Sequence, residues 1–277
     1  MLRQLSKQEI ESFQRKGYMC EHLLSLYSIV AQYTALLDDN FPVFVNGFKE
    51  ADVIFFGLKD RNSGKIENLK EIEKQVNTIN IISPFQIQGQ NIVTRYVDWD
   101  YHIALNDFSL DLKGKEYKRI RYRVKKAEKQ GYYTKISRDF TANHLYLLSR
   151  YMSVHELNPW DYEEILSLDR YFQKFHHGIM IEIYNQGALC GFDIVDFYND
   201  TGMMVIPLGI YLHPQKISDF MMYEDINYAK QKGYEVLDIG PSCLNPGLQR
   251  FKEKWFAKPA HQLFVQCIQK HTPARHA

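Results

Sequence analysis

Near the C-terminus one stretch gathers the residue types from which an anion or acyl-group site is built: Asp238, Gly240, Ser242, Arg250, Lys252 and Lys254. Val236, Leu237 and Ile239 make a short apolar run that reads as a buried strand. Gly240-Pro241-Ser242 stops it, because glycine relaxes the backbone and proline has no ladder donor. Asn245 then stands where a helix N-cap belongs, with Pro246 at the first helical position. A strand end, a small-residue turn and a capped helix start together offer backbone N–H groups to a negative or polar ligand. Asp238 is placed where the sheet would open, and it reads equally as a site carboxylate or as a turn acceptor for the residues after Gly240. The same stretch also suits an ordinary strand–turn–helix corner.

The elements around this corner follow from periodicity. Ile179 to Tyr184, Ala188 to Tyr198 and Met203 to Leu212 alternate with period two and are joined by short polar links containing glycine, which predicts an antiparallel meander. Glu182, Asp193 and Asp196 are its carboxylates, each a general base if it lines a cleft. A helix capped by Ser218 is expected next, burying Phe220, Met222, Ile226 and Ala229 and ending at Gly233. After the corner, the helix should put Leu248, Phe251 and Trp255 on one stripe, with Arg250, Lys252 and Lys254 on its other faces. His261 to Ile268 reads as a final strand.

Upstream, Lys113 to Gly131 is the most charged segment. Tyr117, Ile120, Val124 and Ala127 fall at helical spacing as a buried stripe. Lys115, Lys118, Arg119, Arg121, Arg123, Lys125, Lys126 and Lys129 surround it, relieved only by Glu116 and Glu128. Such a face is either plain solvated surface or a contact for phosphate, as in RNA, a nucleotide or a lipid head group. Tyr132 to Ser137 follows as a strand, then helices over Thr141 to His155 and Trp160 to Phe175. His176-His177 suits a helix C-terminal cap better than a metal site, since no ligand with suitable spacing accompanies it.

The first hundred residues are mixed α+β with no chemical motif. Ser6 with Glu9 makes a capping box, a second helix is expected from His22 to about Leu37, and a charged helix from Asn68 to Val76. Strands are expected at Val43 to Phe48, Val53 to Leu58, Ile79 to Ile82, Gln86 to Ile87 and Val93 to Ile103. With 277 residues, 45% hydrophobic and net charge +1, the chain suits one large or two modest globular domains and carries no global field toward nucleic acid or membrane. Four scattered cysteines with no C-x-x-C pair argue against a disulfide framework or a zinc knuckle, and Cys243 has no nearby histidine to activate it. With no signal peptide and no apolar run of ~20 residues, a cytoplasmic protein without an integral membrane segment is expected.

The order helix, strand, two helices, three-stranded meander, helix, strand, helix, strand resembles the GNAT N-acetyltransferase layout. Asp219-Phe220, Tyr228-Ala229-Lys230-Gln231-Lys232-Gly233-Tyr234 and above all Gly247-Leu248-Gln249-Arg250-Phe251-Lys252-Glu253-Lys254 resemble the C-terminal domain of bacterial phosphatidylglycerol lysyltransferases, and more distantly the Fem aminoacyltransferases. Tyr117, Arg119-Ile120-Arg121 and Gly131 match a basic helix of that family, so the resemblance covers about residues 95 to 265. It implies an α+β fold of tandem GNAT-like domains: a degenerate copy over 1–106 and a catalytic copy over 107–277. It implies transfer of an acyl or aminoacyl group to an amine or hydroxyl, with aminoacyl-tRNA or acyl-CoA as co-substrate and a small-molecule or lipid-like acceptor. Lys252 or Lys254 would contact the donor or its developing negative charge. Gly240, Ser242 and Arg250, with Ile210 and Leu212 of the facing strand, would line the donor, and Lys115, Lys118, Arg119, Arg121 and Arg123 would meet tRNA phosphates. Two features depart from the pattern: Met203 to Leu212 carries no charged residue, and His213 to Lys232 contains no glycine for a pyrophosphate loop. A non-catalytic module that binds RNA, a nucleotide or an acidic partner through the basic helix is the alternative.

Overall fold

A computed structural model describes residues 3–10, 33–38, 41–46, 50–54, 74, 76–83, 86–88, 91–154, 166–174, 178–198, 202–242 and 244–269. The strands of the first half are β1 (Arg3–Gln4), β2 (Tyr33–Asp38), β3 (Phe41–Asn46), β4 (Glu50–Ile54), β5 (Thr78–Ser83) and β6 (Ile92–Ala104). The second half runs α1 (Lys118–Lys129), β7 (Tyr132–Ser137), α2 (Ala142–Val154), α3 (Leu168–Lys174), β8 (Ile179–Asn185), β9 (Ala188–Tyr198), β10 (Met203–Tyr211), α4 (Pro214–Gln231), β11 (Val236–Pro241), α5 (Pro246–Lys254) and β12 (Lys258–Gln269).

All twelve strands join one sheet in the order β1-β2-β3-β4-β5-β12-β6-β11-β10-β9-β8-β7. The two halves repeat a pairing scheme. In the first, β1 to β4 pair antiparallel in sequence and β4 pairs parallel with β5. In the second, β7 to β10 pair antiparallel and β10 pairs parallel with β11. The strand-pairing order thus repeats among the described residues, although no sequence repeat betrays it. The long strand that closes each half crosses over: β6 lies beside β11, and β12 lies between β6 and β5. The strand just ahead of residue 107, β6, therefore sits within the sheet of the second half, between β12 and β11.

Side-chain alternation along these strands divides the second half into two cores. On one face α2 and α3 bury Leu147, Leu148, Tyr171 and Phe172 against Met180, Phe192, Ile194 and Ile210. On the other, α1 and α4 bury Ile120, Val124, Phe220 and Ile226 against Ile183, Val195, Met204 and Leu237. The expected α1 stripe of Tyr117, Ile120, Val124 and Ala127 is buried throughout, as are Phe220, Met222, Ile226 and Ala229 of α4. The Ser6 capping box forms: Glu9 N–H donates to Ser6 Oγ at 3.3 Å, and Ser6 N–H donates to Glu9 Oε2 at 2.9 Å.

Four local readings are corrected. The helix expected to reach Leu37 gives way over Tyr33–Asp38 to β2, whose ladder partners on both sides override a short apolar run that reads equally as helix. Ser218 is not the cap of α4; the helix starts a turn earlier with Pro214 at its first position, where the missing N–H costs nothing. Gln86 to Ile87 make no strand; the Gln266 amide stands in for a ladder partner, accepting from Ile87 N–H at 2.8 Å and donating to its carbonyl at 2.9 Å. Finally, the expected stripe of α5 is buried only toward its C-terminal end: Trp255 is buried, Leu248 in the first turn is 37% exposed, and Lys252, expected on an outer face, is 2% exposed. His22 to Gln32, most of Asn68 to Val76, His176-His177 and Cys243 lie outside the described residues.

The corner itself forms as its residues dictate. Asn245 caps α5, its Oδ1 accepting from Gly247 N–H at 2.8 Å and Leu248 N–H at 3.2 Å. Asn245→Ala should lower stability by about 1 kcal/mol in urea denaturation, the usual loss for an N-cap.

Candidate functional site

β10 and β11 pair through three positions only: Met203 with Val236, Met204 with Leu237, Val205 with Asp238. Beyond that point both strands turn away. On β10 the register slips between Val205 and Leu208, across Pro207, which has no N–H to offer a neighbour. On β11 it slips between Asp238 and Pro241, where Gly240 adopts a left-handed φ of 69°. The sheet therefore parts at Asp238.

A polar cluster lies at this parting. β6 alternates Asp98, Asp100 and His102 on one face with Trp99, Tyr101 and Ile103 on the other, and its neighbours place Asp238 (β11) opposite His102 and His261 (β12) opposite Asp100. His102 Nε2 is 3.1 Å from Asp100 Oδ2 and 3.2 Å from Asp238 Oδ2, and His261 Nε2 is 3.4 Å from Asp100 Oδ2. One N–H cannot serve two carboxylates: the His102–Asp100 contact has hydrogen-bond geometry, and the Asp238 contact does not. Both carboxylates are wholly buried. Burial opposes charge on His102, yet Asp100 and Asp238 outweigh it and hold its pKa at about 10. Burial and the neighbouring Asp100 push Asp238 up to about 6, with His102 and the Gly240 N–H pulling the other way. Burial lowers His261, which is thus the neutral imidazole of the pair. His102 also lines a cavity of about 380 Å³ whose walls include Phe108, Tyr117, Phe256 and Lys258.

The corner brings Asp238, Gly240, Ser242 and Lys252 together. Asp238 Oδ1 accepts from Gly240 N–H at 2.8 Å, so this carboxylate is a turn acceptor through one oxygen and faces His102 through the other. Ser242 Oγ donates to Asp98 Oδ1 at 2.7 Å, and Leu244 N–H donates to Asp98 Oδ2 at 3.2 Å. Lys252 Nζ donates to the carbonyls of Ile239, Gly240 and Pro241, the last at 2.6 Å, and lies 5.5 Å from the centre of the Tyr101 ring. Lys254 pairs with Asp219, which also accepts from Trp255 Nε1 at 3.1 Å, so it clasps α5 to α4. Arg250 is exposed, Ile210 is buried in the core under α2 and α3, and Leu212 is half-buried with its N–H on the Cys190 carbonyl.

The other expected residues are engaged elsewhere. Glu182 accepts from His144 Nε2 at 2.9 Å and Tyr184 Oη at 2.8 Å; the imidazole proton is on Nε2, because Nδ1 accepts from Thr141 N–H. Burial raises the Glu182 pKa, but these donors outweigh it and leave the group below its usual range. Asp196 accepts from Tyr171 Oη at 2.8 Å, fixing α3 to β9. Lys115, ahead of α1, and Lys118 and Arg119 on it are exposed and Arg123 is half-buried, while Arg121 is spent on the carbonyls of Leu112 and Gly114. The residues not anticipated are Asp98, Asp100, His102 and His261. Their signal was the alternation Asp98-Trp99-Asp100-Tyr101-His102, acid and imidazole on one strand face.

Compared with solved structures, the chain superposes on a conserved protein of unknown function from Bacteroides thetaiotaomicron with a TM-score of 0.71 at 14% identity, covering 97% of this chain and 99% of that one. It superposes on L-PGS from Bacillus licheniformis with a TM-score of 0.65 at 15% identity, covering 97% and 93%. A tandem GNAT protein from the clavulanic acid biosynthesis pathway matches with a TM-score of 0.57 at 8% identity, covering 97% and 98%. No family model and no curated protein matches the chain. At these identities the likeness is one of fold: a mixed sheet flanked by helices in the GNAT-like architecture. No helix among the described residues is long and apolar enough to cross a membrane.

Proposed function

We propose that the protein is an acyl- or aminoacyltransferase that holds an activated acyl donor in the gap between β10 and β11. The observation that carries this reading is the parting of the two parallel strands at Asp238, with a buried polar cluster at the fork. Past the fork the β11 carbonyls are taken by Lys252, so an extended acyl arm would pair with the backbone of β10, as a strand would. An amine or hydroxyl acceptor attacks the acyl carbonyl directly: the new C–N or C–O bond forms, the donor's ester or thioester bond breaks with its electron pair on the departing oxygen or sulfur, and the acceptor's proton passes to Asp238 Oδ2 and from there to that leaving atom. Much of the rate comes from holding the two reactants in register. The cavity beside His102, walled by aromatic rings, suits an acceptor with an apolar body. If the donor is aminoacyl-tRNA, Lys115, Lys118 and Arg119 are the exposed cations that would meet its phosphates. Lys252 serves as a positioning residue for the turn, since its three N–H bonds are directed at carbonyls.

Of Glu182, Asp193, Asp196 and Asp238, only Asp238 lies at the corner with Lys252, and it is the carboxylate on which the catalytic reading rests; the other three are hydrogen-bonded elsewhere in the core. The test is a thermal-shift and product-forming panel of acetyl-CoA, longer acyl-CoAs, free CoA, and aminoacylated against uncharged tRNA. A donor that binds the folded state must raise the melting temperature. Stabilisation by one acylated donor over its unacylated form is expected, and with that donor Asp238→Asn should lower kcat/KM about a hundredfold. Equal response to charged and uncharged tRNA would replace the enzyme by an RNA-binding module, and no response to any donor would overturn the proposal.

A further inference from the structure

We infer that Asp100, His102 and His261 form a binding site for a divalent transition-metal ion, with Asp238 beside its open position. The three residues offer one oxygen and two imidazole nitrogens, and these ligand atoms all lie within 4.8 Å of one another. The two separations from Asp100 have the size a small four-coordinate ion imposes. Bonds of about 2.0–2.1 Å at tetrahedral angles put adjacent ligand atoms about 3.3 Å apart. Asp100 Oδ2 is 3.1 Å from His102 Nε2 and 3.4 Å from His261 Nε2. The imidazole rings stand nearly perpendicular at 79°, converging on the carboxylate edge-on instead of stacking.

A purely hydrogen-bonded network leaves this cluster unsatisfied. The single Nε2–H of His102 goes to Asp100; His261 Nε2 and Asp238 Oδ2 are buried and make no hydrogen bond among the described residues. Buried polar atoms are seldom left so, because their lost hydration must be replaced. An ion gives the His261 nitrogen a bond, and Asp238 Oδ2, 3.2 Å from His102 Nε2, is placed to accept a hydrogen bond from a water in the fourth position. Two imidazoles with carboxylate favour zinc or a neighbouring transition metal over calcium or magnesium, which take oxygen ligands. The cavity lined by His102 supplies an entry path. The ligands come from β6 and β12, the two strands that cross between the halves, so the ion would also tie the halves together.

This inference stands independently of the donor and of any transferase activity. Tag-free protein is dialysed against a chelator and titrated with Zn2+ and with Co2+. Expected are one ion per chain, a rise in melting temperature with Zn2+ that a chelator reverses, and with Co2+ the intense visible absorption of a four-coordinate ion. Ca2+ and Mg2+ should produce no shift. His261→Gln and Asp100→Asn should each weaken Zn2+ binding at least a hundredfold. Zn2+ and Co2+ affinities unchanged in both variants, or a Co2+ spectrum in the wild-type protein no different from the hydrated ion, would overturn the inference. The wild-type spectrum and the chelator-dependent melting temperature decide the matter even if a variant fails to fold.

Discussion

Lys252→Met should destabilise the protein by about 3–5 kcal/mol, while Lys254→Met should have a much smaller effect. Lys252 is an ammonium buried to 2% exposure, with its donors on three successive carbonyls at the end of β11. Those carbonyls are turned away from any ladder, because the register slips between Asp238 and Pro241 and Gly240 bends the chain. Methionine keeps the stem and removes the charge, leaving the carbonyls without a donor. Each unsatisfied buried polar group costs about 1–3 kcal/mol, partly offset by relief of the lysine's own desolvation. Lys254 by contrast makes one ion pair at a partly exposed site, and pairs of that kind contribute about 0–1 kcal/mol. Urea denaturation of both variants is the measurement. A loss below about 1 kcal/mol in Lys252→Met, together with lost turnover, would return this lysine to a direct role at the donor.

The comparison shows what the sequence of this corner could and could not say. The Asn245 cap and Pro246 at the first turn were legible because each is a local device whose partner lies within three residues, and the strand because its apolar run is short and bounded. The burial of Lys252 was not. Leu248 and Lys252 lie one turn apart on the same side of the helix, and hydrophobicity alone sends the leucine inward and the lysine out. What draws the lysine in is a row of carbonyls from β11 that only the tertiary structure sets beneath that turn of the helix. The His102 cluster was hidden for a related reason. Asp98, Asp100 and His102 stand in the half without a motif, and they reach the fork only because β6 crosses to lie beside β11. A crossing strand leaves no trace in local sequence, whereas the meander of β8, β9 and β10, joined by short turns, was readable almost to the residue. The repeat was legible only through pairing order, since the halves share that order and no motif.

Asp193 and Asp225 lead to the second large effect. Asp193 on β9 and Asp225 on α4 are wholly buried, the Tyr211 hydroxyl donates to Asp193 Oδ1, and a Cβ at Gly209 would stand 2.5 Å from that same oxygen. Among the described residues Asp225 has no hydrogen-bond donor of its own. Two facing carboxylates in an apolar layer share a proton. Burial pushes Asp193 up to about 6, eased by Asp225 and Tyr211. Burial and the charges of Asp193 and Glu224 push Asp225 well above the carboxylate range, so Asp225 is the member of the pair that holds the shared proton. Unfolded aspartates release it near pH 3.9. Between those limits the folded state binds more protons than the unfolded chain, so stability from this pair is greatest at low pH and falls as pH rises. Each proton of difference changes stability by about 1.4 kcal/mol per pH unit. Asp225→Asn supplies an N–H in place of the shared proton. Its stability relative to the wild-type protein should rise as pH rises from 5 to 7, so that its own profile is flatter over that range. Chemical denaturation of both proteins across that range tests this, and parallel pH profiles would show that the two carboxyls do not share a proton.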